Sequence, residues 1–387
     1  MVAGEGWQQS WRVLLLAPLT RQGEIMKIQA AVVRETGAPL SVEELELGGL
    51  QPTEVRVRMV ATGICHTDAT ARDGAYPISA PCVLGHEGAG VVEEVGAAVT
   101  SVAAGDHVVM APASCGTCKQ CRRGEMAYCE HYLDLNLSGR HTALSSGGEP
   151  VASHFFGQSS FATYANVMEN SVVKVDPEAP LEMLGSFGCG LQTGAGAVLN
   201  DLRPEAATAL VVIGTGAVGS AAIMAAKIAG CTTVIAVDLH DSRLELAREL
   251  GATHTINSGK TDMVEEIKRI TGGEGVNYAV DTTAVPAVLG QIVEALAVRG
   301  TLVAVGNTQF GTEAPFEIGE SQVKGWTFKM NVQGSSVYHV FIPRLIELWQ
   351  QGRFPFEKLV KTYSLEDINQ AFEDSANGST IKPIIIF

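Results

Sequence analysis

The sequence predicts an α/β protein in two parts, with a doubly wound parallel-sheet domain inserted into a β-rich one. Three observations carry this expectation. After Gly194 the rhythm changes from short Val- and Gly-rich runs to apolar strands that alternate with helical segments. Such alternation implies a parallel sheet covered by helices on both faces. A glycine fingerprint, Gly214-Thr215-Gly216-Ala217-Val218-Gly219, sits between one of those strands and an Ala-rich helical stretch. Finally, 387 residues exceed what one hydrophobic core usually holds.

The elements follow in order. Residues 1–25 read as an appendage added in translation or by cloning. Their apolar patch, Val13 to Leu19, is preceded by only one basic residue, Arg12, which is poor support for the alternative of a secretory signal. Residues 26–193 form the first part of the β-rich domain, through runs such as Val55-Arg56-Val57-Arg58-Met59-Val60 and Gly90-Val91-Val92-Glu93-Glu94-Val95. In the inserted domain, 194–331, strands are expected at 209–213, 233–238, 276–281 and 301–306. Helices are expected between them at 217–229, 242–250, 262–270 and 285–298. Residues 332–387 return to the first domain with a helix at 337–350. Ser364-Leu365-Glu366-Asp367 then resembles a capping box opening another helix, and 381–387 reads as a final strand.

Composition narrows the function. With 46% hydrophobic and 18% charged residues the chain is an ordinary folded protein, not a disordered one. Its formal charge of −15 argues against general binding to nucleic acid, which needs a basic surface. No apolar run reaches the roughly 20 residues that cross a bilayer. A cytoplasmic protein with a small-molecule partner is expected.

The fingerprint is a candidate dinucleotide site. Gly214 permits the tight turn, Gly216 lets the backbone approach a pyrophosphate, and Gly219 lets the helix pack on the strand. Val218 lies in the first helical turn, whose free N–H groups attract phosphate. The next strand ends in Asp238, whose carboxylate suits the adenine ribose hydroxyls and repels a 2′-phosphate, so NAD is favoured over NADP. The alternative is an ordinary βαβ unit with a solvated strand-end Asp.

Cys115-x2-Cys118-x2-Cys121-x7-Cys129 places four thiols in one lobe, 112–132, as tetrahedral zinc requires. Protein fills all four positions, so this zinc would be structural. Two disulfides are the alternative, and the spacing fits neither common ferredoxin pattern. Elsewhere, Cys65, His86 and Cys189 offer two thiolates and an imidazole, the three-ligand set that leaves zinc open to substrate. Cys189 stands just before the inserted domain, which would put this metal at the cleft.

Taken together, these motifs resemble the zinc-dependent medium-chain alcohol dehydrogenases over about residues 26–387. The closer resemblance is to aryl-alcohol (benzyl alcohol) dehydrogenases, through Ala61-Thr62-Gly63-Ile64-Cys65-His66-Thr67-Asp68, Phe155-Phe156-Gly157-Gln158-Ser159-Ser160-Phe161-Ala162 and Phe341-Ile342-Pro343-Arg344-Leu345. The resemblance implies a GroES-like catalytic domain, a Rossmann domain, NAD and two zinc ions per subunit. It makes Cys65, His86 and Cys189 the catalytic zinc ligands, with Glu87 beneath the metal or as an alternate ligand and Asp68 orienting His86. His66 and Lys382 match contacts to the cofactor pyrophosphate, Arg243 a basic residue near the ribose, and Thr193 one that packs on the nicotinamide. Thr67 would relay the alcohol proton. One departure is Thr70, where many relatives carry a His that completes the relay.

Two further departures bear on substrate. Ala111 stands where small-alcohol enzymes often have a bulky aromatic, and Leu133 where glutathione-dependent formaldehyde enzymes carry Arg. Both favour a bulky apolar primary alcohol, benzyl-type first and an allylic terpenoid such as geraniol or perillyl alcohol second. The stretch from Phe155 to Phe161 reads as core rather than substrate wall. The rival of another class is a non-catalytic structural or regulatory relative, and such members usually lack the zinc ligands. The long segment between Asn136 and Phe161 resembles dimeric members, so a homodimer is expected, with a tetramer as the alternative.

Overall fold

The computed structural model describes residues 25–139, 143–309, 311–314 and 316–387. All but the last residue of the expected 1–25 appendage lies outside them. The β-branched runs of the first part pair into two largely antiparallel sheets. One holds, in spatial order, Cys82–Val83, Met26–Val33, Ser41–Leu47, Leu144–Ser146 and Glu149–Val151. The other is ordered Val172–Lys174, His107–Met110, Gly88–Val95, Glu54–Gly63, Lys382–Ile386 and Val360–Ser364, and Tyr164–Met168 also pairs with Glu54–Gly63. The closing strand therefore runs antiparallel to Glu54–Gly63, with Ile384 opposite Gly63. This pairing brings Lys382 beside the segment that carries Cys65.

The inserted part is a six-stranded parallel sheet ordered His254–Asn257, Thr233–Asp238, Ala209–Ile213, Val276–Asp281, Leu296–Ala304 and Thr327–Met330. Its strand order reverses beside Ala209–Ile213. The crevice at the carboxyl end of that strand is where ligands bind in such sheets. Helix Ala217–Ala229 begins there and is buried from Gly219 to Ala226; Gly219, at its start, sits so close to the preceding turn that an added Cβ would fall 1.8 Å from Gly214 O. Helix Gly190–Gly196 crosses it at Gly194, where an added Cβ would fall 1.9 Å from Val218 O. This close crossing sets Cys189 next to the first turn of the fingerprint helix. No helix among the described residues is long and apolar enough to cross a membrane.

Several local expectations are corrected. The helix expected at 285–298 ends early: Pro286–Ala295 is helical and Leu296–Ala304 follows at once as a strand. The run Leu296-Ala297-Val298 is compatible with either state, and pairing of Leu296 with Val276 draws it into the sheet. Strands His254–Asn257 and Thr327–Met330 were not foreseen. Each has four residues at an outer edge of the sheet, and the second is mostly exposed, so neither carries an apolar alternation. The expected capping box reduces to mutual bonds between Ser364 and Asp367, and the helix starts after them at Ile368.

Candidate active site

Three chain segments converge on one buried cluster. Cys65 ends the turn after strand Glu54–Gly63 and caps helix His66–Arg72, His86 and Glu87 precede strand Gly88–Val95, and Cys189 caps helix Gly190–Gly196. The ligand atoms of Cys65, His86, Glu87 and Cys189 all lie within 4.8 Å of one another. Asp68, fully buried, ties the segments together. Its Oδ1 accepts from Gly85 N at 3.1 Å and pairs with His86 Nδ1 at 2.9 Å, and its Oδ2 accepts from Cys65 N at 2.9 Å. Burial opposes a charged ring, but Asp68 and Cys65 push the His86 pKa well above its ordinary value. Once a cation replaces the Nε2 proton, the bond from Nδ1 to Asp68 would leave the Nε2 lone pair for it, and this buried nitrogen has no other hydrogen-bond partner. The ring is fixed from its sides as well. Phe156 stacks on it at 4.6 Å and Phe155 meets it edge-on at 5.6 Å. Phe155 and Phe161 are core as expected, whereas Phe156 also borders the cluster.

The donor set fits a cation. A hydrogen bond from Cys189, helped by His86 and Lys382, pulls the Cys65 thiol well below its ordinary range although burial opposes it. The same hydrogen bond and burial push Cys189 well above. Glu87 fills a cradle in which an added Cβ on Gly63 would fall 2.1 Å from Oε2. Lys382 donates to both Glu87 oxygens, at 2.9 and 2.8 Å, and to Ile64 O at 3.1 Å. Burial works to strip Lys382 of its proton, but Glu87 and Cys65 hold its pKa above the usual value. Three acceptors thus occupy this amine, expected to meet a pyrophosphate, and it is only 2% exposed.

Thr67 Oγ1 lies 3.7 Å from Cys65 Sγ, while the Thr70 hydroxyl is bonded to His66 O at 2.9 Å. His66 is exposed. The Thr193 hydroxyl donates to Cys189 O at 2.9 Å. The dinucleotide fingerprint opens on the same crevice. A Cβ placed on Gly190 would lie 3.6 Å from Glu87 Oε1, 3.7 Å from Val218 Cγ2 and 3.9 Å from Lys382 Nζ. Gly214 has φ of +81°, Gly219 leaves no room for a Cβ against Gly214 O, and a Cβ on Gly216 would meet nothing within 4 Å. Asp238 is 7% exposed and accepts four hydrogen bonds, two from Thr215 and one each from the N–H groups of Leu239 and His240. Burial pushes this carboxyl up, but those donors and nearby Arg243 outweigh it and hold its pKa below the ordinary value. Arg243 is half-buried, and its Nε has no hydrogen-bond partner.

The second cluster joins Cys115, Cys118, Cys121 and Cys129, again within 4.8 Å. All eight cysteines are free, so the disulfide alternative fails. Cys115 Sγ and Cys121 Sγ are 3.9 Å apart, near the edge of about 3.8 Å of a tetrahedron built from Zn–S bonds of about 2.3 Å. N–H groups of Cys118, Cys121 and Cys115 point to the sulfurs of Cys115, Cys118 and Cys129 at 3.3–3.5 Å. Burial opposes ionisation of Cys115, yet donors from Thr117 and Cys118 pull it down to about 6. Burial and the neighbouring thiols push Cys121 up to about 12. Four sulfurs gathered this closely could hold a cation between them.

Sequence reasoning missed the glutamines around the catalytic cluster. Gln158 bonds His86 O and Gly88 N, Gln333 Nε2 reaches Cys189 Sγ, and Gln192 Nε2 donates to Gly188 O and to Gln333 Oε1. No spacing rule marks such residues, and only their place next to recognised motifs hinted at a role.

Known proteins share this architecture. Residues 51–177 match the alcohol dehydrogenase GroES-like domain and residues 217–351 the zinc-binding dehydrogenase family. The chain is 38% identical over 370 residues to a geraniol dehydrogenase of Castellaniella defragrans, covering 94% of this chain and 99% of that one. The crystal structure of a benzyl alcohol dehydrogenase from Acinetobacter calcoaceticus superposes with a TM-score of 0.90 at 48% identity, covering 94% and 99% of the two chains. An alcohol dehydrogenase zinc-binding domain protein from Burkholderia ambifaria gives 0.92 at 52% identity, covering 94% and 100%. The chain belongs to the zinc-binding medium-chain alcohol dehydrogenase family, with a GroES-like domain and a Rossmann-like parallel-sheet domain.

Proposed function

We propose that the protein is a zinc- and NAD-dependent dehydrogenase that oxidises bulky primary alcohols reversibly to aldehydes, with aryl (benzyl-type) alcohols as its leading substrates. The observation that carries this reading is the unpartnered His86 Nε2, buried with the Cys65 and Cys189 sulfurs beside the first turn of the fingerprint helix. When bound, zinc would polarise the alcohol oxygen and NAD would accept the hydride. The chain's own residues supply the rest. Asp68 keeps the proton of His86 on Nδ1 and thereby keeps Nε2 a ligand. Glu87, neutralised by Lys382, would serve as an alternate ligand to the metal. Thr67 Oγ1 receives the hydroxyl proton of the substrate. The Thr70 hydroxyl is committed to His66 O, so the onward path of that proton would not run through Thr70.

We assign residues 26–193 and 332–387 to catalysis and 194–331 to the dinucleotide. Gly214, Gly216, Val218 and Gly219 would receive the pyrophosphate, with His66 beside it and Lys382 acting from below as a fixed positive charge. Asp238 and Arg243 would face the adenosine ribose, and the negative charge of Asp238 favours NAD over NADP. Thr193 would pack on the nicotinamide. The second cluster would hold a structural zinc. A cytoplasmic homodimer is the working assembly, and a single-subunit mass in light scattering would contradict it.

Support for an aryl substrate comes from small, buried Ala111, from the ring of Phe156 beside His86, and from the likeness to a benzyl alcohol dehydrogenase. A second reading, oxidation of allylic terpenoid alcohols, is favoured by the likeness to a geraniol dehydrogenase. NAD-linked rates on benzyl alcohol, cinnamyl alcohol, geraniol and ethanol decide between them. The first reading expects benzyl alcohol to lead. A lead for geraniol overturns the substrate, and no turnover on any alcohol by metal-loaded protein overturns the enzyme.

A further inference from the structure

The turn after the last parallel strand carries Gln333, whose side chain the chemistry above leaves unused. Its backbone lies in the left-handed region at φ 52°, which a residue with a Cβ keeps only where its surroundings hold it there. The hold is visible. Gly334 is pressed against helix Gly190–Gly196, where an added Cβ would fall 2.2 Å from Gln192 O, and Gln333 itself is 7% exposed. The orientation of its amide follows from its neighbours. Gln192 Nε2 lies 2.6 Å from Gly188 O, so that atom must be the donating nitrogen. The Gln333 atom facing the same nitrogen at 3.2 Å must then be its oxygen. This leaves Gln333 Nε2 to donate to Cys189 Sγ, at 3.8 Å. The hydroxyl of half-buried Tyr132 interacts with the same side chain.

We propose that Gln333 is a positioning residue for the catalytic metal: its amide N–H steers the Cys189 sulfur and draws off part of its negative charge, keeping the ion that this sulfur holds more electrophilic. Partners of this kind orient metal ligands and tune the metal. The inference rests on the reading of Cys65, His86 and Cys189 as ligands. It also gives the interdomain turn a chemical task, because any movement of 331–336 changes a contact to a ligand.

The test uses full-length protein with cobalt(II) in place of zinc, read by thiolate-to-cobalt charge-transfer absorption and by the rate of metal release to a chelator. Gln333→Met keeps the side-chain length and removes the donor. Its band is expected at longer wavelength, and its catalytic ion should leave about 10–100-fold faster, while the ion of the four-cysteine lobe leaves at the wild-type rate. Gln192→Met, which frees the amide without touching the turn, is expected to shift both readouts the same way and less. It decides the matter should Gln333→Met fail to fold. A folded Gln333→Met protein with wild-type band and release rate overturns the proposal. Cys189→Ser separates the two readings: a cobalt spectrum indifferent to it removes the metal site itself, whereas a spectrum that responds to Cys189→Ser but not to Gln333→Met removes only the role of Gln333.

Discussion

Replacing Asp68 by Asn tests how the catalytic ligands are held. The carboxylate serves three donors: His86 Nδ1 and Gly85 N on one oxygen, and Cys65 N on the other. An amide offers one accepting oxygen and one NH2. If the NH2 takes the Oδ1 place it faces two donors, and His86 can bond to it only by moving its proton to Nε2, which abolishes the ligand. If it takes the Oδ2 place, the Cys65 N–H is left unsatisfied at about 1–3 kcal/mol, and the bond to His86 loses its charge assistance. The second arrangement costs less. Since about 1.4 kcal/mol is a factor of ten, zinc should leave the catalytic site roughly 10–100-fold faster, in the range expected when a ligand's partner is lost. The assay is zinc release to a colorimetric chelator, with the four-cysteine zinc as internal control. Release at the wild-type rate from a folded Asp68→Asn protein would refute the reasoning.

Other outcomes follow from the same geometry. Asp238→Ala removes a charged acceptor worth about 1.5–3 kcal/mol and should raise KM for NAD by about tenfold to a hundredfold; an unaltered NAD-to-NADP preference would count against the assignment. Cys118→Ser should lower zinc from two ions to one per subunit and reduce the melting temperature while Cys65, His86 and Cys189 keep theirs, whereas two retained zincs would contradict the lobe reading. Ala111→Phe should depress rates on benzyl alcohol more than on ethanol, and equal losses would remove Ala111 from the substrate pocket. Burial holds the His339 pKa below 6.5, against its bond to Val172 O. The unfolded chain therefore binds this proton first as pH falls, so stability that is whole above about pH 6.5 declines below it. His339→Gln should flatten that decline relative to wild type, and parallel melting curves from pH 7 to 5 would argue otherwise.

Much of the active region is legible in the sequence because its chemistry is written in residue type and spacing. The glycines of the fingerprint, the four-cysteine lobe and the pair His86-Glu87 each announce a constraint that few other residues satisfy. The convergence of Cys65 with Cys189 is less local: ligand type grouped them with His86 in the sequence, and the fold brings their sulfurs together. What stayed hidden depends on tertiary contact. Gln333 looks like any turn residue until Gln192 fixes its amide, and nothing in the sequence says that Lys382 spends its hydrogen bonds on Glu87. Asp238 was read correctly as a strand-end carboxylate, yet its four internal bonds to Thr215, Leu239 and His240 are invisible without the loop geometry. The edge strands escaped for a plainer reason, being too short and too exposed to leave a pattern.

Anomalous diffraction at the zinc edge, from crystals grown with NAD, tests the central claim most directly. The account predicts a peak about 2.3 Å from the sulfurs of Cys65 and Cys189 and about 2.0–2.1 Å from His86 Nε2, with the nicotinamide in the same crevice. A peak in the four-cysteine lobe alone, from active protein, would contradict it.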